Sequence, residues 1–371
     1  MKRIAFFSGD ITRSGGTERV GTIIANQLQK KEEYQVFFIS LTHERKSPAY
    51  PIADDIPREC FSEKWIQPGP GYLPVIGKLI RYLKKNKIDI LVDIDGVLDC
   101  ISIPAKYIAH CKLISWEHFN YYADLGTSYR KIIRKMAARC ADAIVTLTEQ
   151  DKQYYCQNVK IRHKITAIHN PVDYMQPKKN SIALKDYQQK NILSVGRLTD
   201  MKGFVRVPKI AARIREKYPQ LSFHWMIAGQ GEQQKEIEEE IKKWNVSECV
   251  QLLGQTEDMA SLYEKALIYV MTSGYEGLPM VLLEAKMYQI PCVSFDIKTG
   301  PSEIIQDRKD GYLIPYQEDK AIVSEEMVDA IATLLLQEET YWEFVSHTQD
   351  NIDLFRLQYV MECWEELLAG L

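Results

Sequence analysis

The stretch Ser273 to Ala285, SGYEGLPMVLLEA, sets two carboxylates around the start of one helix. Pro279 is expected at the first helical position, where its missing N–H would be unpaired in any case. Glu276 then falls in the loop before the helix, beside its positive end. Glu284 falls about two turns in, among Val281, Leu282, Leu283 and Ala285, where a solvated face would surround an acid with polar neighbours instead. One acid before a helix and one within it point to a polar ligand, because a carboxylate accepts two hydroxyl protons at once.

Other loops offer complementary groups. NILSVG runs into SVGRLTDMKGF, which puts Arg197 and Lys202 at a strand end ahead of another helix. A guanidinium fork and a mobile ammonium there suit a diphosphate, and without an anion they oppose the helix macrodipole. After the first strand, SGDITRSGGTERV places Gly15 and Gly16 before a helical pattern of Val20, Ile23, Ile24 and Leu28. That pair reads either as a plain tight turn or as a place where backbone N–H groups meet an anion. LISWEHFNYY sets Glu117 and His118 at a strand end, where the histidine is either structural or a donor to a reacting group. MIAGQGEQQ offers Gly229-x-Gly231, but Gln234 stands where a dinucleotide fingerprint needs its third glycine, which argues against a dehydrogenase. Asp93-Ile94-Asp95 matches the letters of a metal-binding D-x-D and reads instead as the end of a strand.

The elements that would carry these loops alternate along the chain. The runs RIAFFS, QVFFIS, DILVD, KLISW and DAIVTLT, then NILSVG, FHWMIAG, VQLLG, LIYVM and PCVSF, are apolar throughout and separated by helical patterns. Such alternation predicts α/β structure with two doubly wound parallel sheets, whose ligands bind beyond the carboxyl ends of the strands. Asn170 to Lys190, with two prolines in a polar cluster, reads as the linker between a first domain over 1–172 and a second over 188–350. The amphipathic segment within 352–371 is a candidate to pack back on the first domain.

The totals fit that plan. A chain of 371 residues, 46% hydrophobic and 26% charged, suits about two domains. It has no run of eighteen apolar residues and no charged-then-apolar leader, so a cytoplasmic protein without a membrane span is expected. The eight cysteines are scattered singly, so neither a zinc site nor a disulfide scaffold is suggested, and small buried hydrophobes are expected. Charge is divided unevenly: residues 1–170 carry 26 Lys and Arg against 18 Asp and Glu, residues 171–371 carry 21 against 32. The basic half includes RYLKKNK (Arg81 to Lys87) and YRKIIRKMAAR (Tyr129 to Arg139), which read either as solvated helices on a sheet or as helices lying on anionic lipid.

Taken together, SGGTE near the start, WEH after the fourth strand, VGRL with KG, YEGLPMVLLEA, GPSEII and DGYLIP resemble the retaining glycosyltransferases of family 4. The likeness spans nearly the whole chain, and its most specific part is the E-x7-E of Glu276 and Glu284. It implies the GT-B architecture, two Rossmann-like domains facing a cleft that closes on the substrates. It further implies that Glu276 contacts the donor sugar, Glu284 holds the nucleotide ribose, Arg197 and Lys202 bind the diphosphate, and His118 lies near the sugar. Gly16 would give close backbone approach to the phosphates, with Gly15, Gly229, Gly277, Leu278 and Pro279 completing the nucleotide site. The implied partners are a nucleotide sugar, a UDP-sugar by this likeness, and a saccharide acceptor, lipid-linked as in enzymes that extend surface oligosaccharides. Neither a metal nor another cofactor nor a nucleic acid is implied, and contact would be peripheral, at the inner face of the cell membrane. Other readings are a nucleotide-sugar epimerase or sugar phosphorylase of the same architecture, or a two-lobed sugar-binding protein without catalysis.

Overall fold

The computed structural model describes residues 1–64, 66–67, 69–123, 129–172, 187–256 and 258–371. They form two compact units, Met1–Asn170 with Val360–Leu371, and Pro171–Tyr359. Of the linker expected over Asn170 to Lys190, the greater part, 173–186, lies outside the described residues.

The first unit begins β1 (Lys2–Asp10), α1 (Gly16–Gln29), β2 (Tyr34–Thr42), β3 (Arg58–Ser62) and α2 (Tyr72–Lys85). It continues β4 (Ile90–Ile94), α3 (Asp99–Ala109), β5 (Lys112–Trp116), α4 (Tyr129–Cys140), β6 (Ala143–Thr146), α5 (Glu149–Asn158) and β7 (Lys164–Ala167). Its seven strands are ordered β3-β2-β1-β4-β5-β6-β7. The second unit runs β8 (Asn191–Val195), α6 (Val207–Lys217), β9 (His224–Ala228), α7 (Gln234–Lys243), β10 (Val250–Gly254), α8 (Met259–Lys265) and β11 (Ile268–Met271). There follow α9 (Met280–Met287), β12 (Cys292–Asp296), α10 (Pro301–Ile304), β13 (Gly311–Pro315), α11 (Glu325–Leu336), α12 (Glu338–His347) and the start of α13 (Leu357–Ala369). Its six strands are ordered β10-β9-β8-β11-β12-β13.

Both units are therefore doubly wound α/β structures of Rossmann type, with parallel pairing across the strands on each side of the reversal. The central strands are buried on both faces, as their unbroken apolar runs require: all of β4 and all of β11 are buried. Three strands were not among the expected runs: β3, β7 and β13. Each is an edge strand. An edge strand is covered less completely, so RECFS and KITA mix polar with apolar residues and lack the continuous run that marks a central strand. The cysteines also depart from expectation. Cys111, Cys249 and Cys292 are buried, while Cys156 is exposed and the other four are half-buried.

The end of the chain is part of the first core. Trp364 of α13 is fully buried and meets the ring of Trp116 at 4.7 Å, nearly edge-on. Lys31 forms an ion pair with Glu365, and Lys2 donates to the carbonyl of Leu368 at 2.6 Å. The aromatic contact should dominate, since exposed ion pairs contribute little. Trp364→Ala is expected to destabilise the first unit by roughly 3–5 kcal/mol, read as a lower denaturant midpoint, with Trp364→Phe costing much less. A loss under ~1 kcal/mol for the alanine variant would show that α13 only rests on the surface.

Candidate active site

The second sheet reverses its order between β8 and β11, so the loops leaving those strands diverge and leave a crevice at their carboxyl ends. Hydrogen bonds to main-chain carbonyls hold the two loops together. Thr272 donates from Oγ1 to the Lys202 carbonyl at 3.1 Å, and the Gly274 N–H donates to Met201 at 2.9 Å. Gly203 makes this possible: its φ is +65°, and a Cβ there would lie 2.5 Å from the Thr272 carbonyl oxygen. The result is an ion pair of 2.6 Å between Lys202 Nζ and Glu276 Oε1, with both side chains partly shielded. Arg197, on the first of these loops, is exposed. The expectation of an α-helix directly after Lys202 is corrected. Lys202 closes a 3₁₀ turn, a second such turn follows, and α6 begins only at Val207.

The helix carrying the second acid also differs from its expected form. Pro279 is the N-cap, with extended backbone, and α9 starts at Met280. Glu284 therefore stands just over one turn in. Its carboxylate accepts a hydrogen bond of 2.8 Å from the hydroxyl of Tyr263, a buried ring stacked on Tyr288 and Tyr269. The preceding loop is fixed by Thr299, whose hydroxyl donates to the Glu276 carbonyl at 2.7 Å. Gly277 is half-buried and Leu278 and Pro279 are buried. Gly229 serves the loops themselves: its φ is +145°, and a Cβ would lie 1.9 Å from the Gly196 carbonyl oxygen. Tyr263 and Thr299 were not found from the sequence, because each acts through a hydrogen bond that only the folded register creates.

The first sheet reverses between β1 and β4, and a cavity of about 450 Å³ opens there. Asp10, Arg13, Glu18, Asp95, Phe119 and Arg130 are among its walls. Gly15 is the extended N-cap of α1 and Gly16 its exposed first residue, with open space where a Cβ would project. Glu18 folds back over this turn, its Oε2 2.3 Å from where a Cβ on Gly15 would sit; burial raises the pKa of its carboxyl. His118 does not line the cavity. It is buried with its ring 4.5 Å from Trp116 and no hydrogen-bond partner on Nε2 among the described residues. Burial pulls its pKa down to about 4, against the opposing effect of Asp95, so the imidazole is neutral near pH 7 and offers a donor rather than a proton to transfer.

Two cations of the basic helix α4 turn inward. Arg130 grips Asp95 with both terminal nitrogens, at 3.1 and 2.9 Å. Arg134 donates to the carbonyls of Tyr121 and Ala123 and stands 3.6 Å from Glu117. The DID segment is indeed the end of a strand: Asp93 is buried in β4, bonded to Ser102 at 2.7 Å, and burial, with the nearby charge of Asp95, pushes its pKa up to about 7 against the hydrogen bonds of Ser102 and Asp99. Asp95 follows with φ +85°, which aims it at Arg130 and the cavity wall. Among the described residues no cluster of His, Cys, Asp and Glu is arranged to hold a metal ion, and no helix is long and apolar enough to cross a membrane.

Residues 14–175 match the family model Glycosyltransferase Family 4, and residues 175–350 match Glycosyl transferases group 1. The amylovoran biosynthesis glycosyltransferase AmsD of Erwinia amylovora is 28% identical, over 99% of this chain and 100% of its own. The GalNAc-alpha-(1->4)-GalNAc-alpha-(1->3)-diNAcBac-PP-undecaprenol alpha-1,4-N-acetyl-D-galactosaminyltransferase of Campylobacter jejuni is 26% identical, over 100% and 99%. Among solved structures, Anabaena Alr3699/HepE in complex with UDP superposes with a TM-score of 0.79 at 18% identity, covering 100% of both chains. Two doubly wound units, each matched by a glycosyltransferase model over its own half, leave one conclusion: the chain belongs to the GT-B glycosyltransferases.

Proposed function

We propose that the chain is a retaining hexosyltransferase, moving a hexose or N-acetylhexosamine from a UDP-sugar to a lipid-linked saccharide during synthesis of a surface polysaccharide such as lipopolysaccharide or capsule. The observation that carries this reading is the 2.6 Å pair of Lys202 and Glu276 beside exposed Arg197, at the carboxyl ends of β8 and β11. The names of relatives support the finer terms: one is assigned to amylovoran biosynthesis, one acts on an undecaprenol-pyrophosphate saccharide, and HepE was crystallised with UDP.

In this reading the donor diphosphate takes Lys202 away from Glu276 and engages Arg197. The freed Glu276 carboxylate then accepts hydrogen bonds from sugar hydroxyls near C1. As the bond from C1 to the phosphate oxygen lengthens, positive charge gathers on the ring and negative charge on the departing UDP. Arg197 and Lys202 stabilise the anion, and Glu276 the cation; one such donor is worth about 3 kcal/mol. The acceptor hydroxyl attacks C1 from the face the phosphate leaves, and its proton passes to the departing phosphate oxygen. Glu284, held by Tyr263, takes the ribose hydroxyls. Two fixed cations supply the charge that a divalent metal would otherwise bring, so the reaction is metal-independent. The enzyme works at the inner face of the cell membrane, where exposed Ile132 and Met136 of α4, with Lys131 and Lys135, suit anionic lipid.

The primary test is UDP release from a panel of sugar nucleotides, with and without saccharide acceptors. Acceptor-dependent release from one UDP-sugar is expected; release from none of the panel sinks the reading. Arg197→Ala and Lys202→Ala should each lower turnover at least about tenfold without unfolding the protein, and Glu276→Gln by more. Near-normal turnover in Glu276→Gln would remove that residue from the sugar site. Treatment with EDTA should leave the rate within about twofold, whereas a loss restored by magnesium would replace the two-cation account with a metal-assisted one.

A further inference from the structure

The segment 316–320, which follows β13, touches both loops of the candidate active site, and the reaction described above gives it no part. Tyr316 opens it. Its hydroxyl lies 2.2 Å from where a Cβ on Gly274 would sit, in the loop that carries Glu276. The φ of Gly274 is not positive, so the backbone there does not require glycine; the missing side chain is what makes room for the tyrosine. Lys320 closes the segment. It donates to the Asp200 carbonyl at 3.1 Å and pairs with the Asp200 carboxylate, at the start of the 3₁₀ turn that ends in Lys202.

Between these two contacts a buried cation holds the segment. Arg206 is 3% exposed, yet among the described residues it pairs with no carboxylate. Its Nη2 donates to the carbonyls of Gln317 at 2.6 Å and Glu318 at 3.2 Å, and its Nη1 to that of Asp319 at 3.2 Å. The guanidinium carbon stands 5.3 Å from the ring centre of Phe295 and 5.6 Å from that of Tyr316, which fixes the tyrosine as well. Burying a cation away from any acid is costly, and an apolar residue would fill the same space at less cost. What arginine adds is its fork: donors in one plane serve three successive carbonyls, and so hold the main chain at 317–319.

We propose that segment 316–320 is a clamp on the loops carrying Lys202 and Glu276, and that Arg206 is the positioning residue that holds this clamp in place. Neither Arg206 nor Lys320 has to touch a substrate. When a ligand separates Lys202 from Glu276, the side-chain bond between their loops is lost, and the clamp keeps the two main chains in register while the side chains change partners. This role rests on Lys202 and Glu276 being the donor-sugar ligands, but its structural half is measurable with no substrate present.

Amide hydrogen exchange of the ligand-free chain would be followed at Lys202, Gly203 and Gly274, whose N–H groups bond within and between the two loops, with Trp225 of β9 as reference. Arg206→Met should speed exchange at the three loop amides at least about tenfold, and at Trp225 less than about twofold. Lys320→Gln, near the surface, carries the same test if Arg206→Met does not fold, with an expected acceleration of about threefold. Lys309→Gln breaks an ion pair with Asp350 before the opposite end of β13 and should change neither loop. Turnover of the UDP-sugar found active in the panel is the second readout. Arg206→Met should lower it at least about tenfold in the unmodified chain and less than about threefold in Lys202→Ala, where part of what it positions is already gone. Acceleration at Trp225 equal to that in the loops would make Arg206 a plain stabiliser of the unit and overturn the proposal. Unchanged loop exchange, or losses that simply multiply in the double variant, would overturn it too. Should Lys202→Ala alone turn over normally, the diphosphate reading fails, while the exchange result still decides whether the clamp exists.

Discussion

The contact between Lys202 and Glu276 joins the loops at the carboxyl ends of β8 and β11. Both side chains sit where strand order reverses, on loops that would otherwise diverge, and each stands partly out of water. A half-shielded ammonium and a half-shielded carboxylate stabilise each other only while nothing better is present. A ligand bearing anionic oxygens at one end and hydroxyls at the other replaces both partners at once, so neither charge is left buried and alone. The same pair that keeps the empty loops together thus sets the polarity of what can displace it.

In the first unit charge is handled differently. Arg130 and Arg134 turn inward from a helix whose sequence looks uniformly basic and meet Asp95, Glu117 and main-chain carbonyls. Buried carboxylates at the same strand ends are shielded from water and resist ionisation, as with Asp93 and Glu117. The surplus positive charge counted over residues 1–170 therefore resides less in α4 than its composition suggests, and more at α2, whose four cations share their helix with no acid.

What could be read from the chain follows the strength of each local signal. Central strands announced themselves because burial on both faces demands unbroken apolar runs, while β3, β7 and β13, all at edges, did not. Pro279 was expected inside its helix, yet it stands as the N-cap with extended backbone, packed beside Gly300. Arg197, Lys202 and Glu276 were legible as residue types beyond strand ends, and Glu284 as an acid within the helix that follows. Their pairing was not, since the distance from Lys202 to Glu276 is set by the crossover between β8 and β11. The cavity wall of Asp10, Asp95, Phe119 and Arg130 was invisible for the same reason: its members come from four separate segments and share no motif.

The glycines separate scaffold from ligand surface more sharply than the charged residues do. Gly203, Gly229 and Gly300 all have positive φ, and a Cβ on any of them would strike a neighbouring loop within 2.5 Å. They are used up in holding the second unit's loops against one another, so a larger residue there would displace the loops whether or not a ligand is bound. Gly16 meets nothing within 4 Å, and its backbone conformation needs no glycine. Internal packing therefore leaves its lack of a side chain unexplained, and a close external approach to the first turn of α1 is the remaining physical use for it.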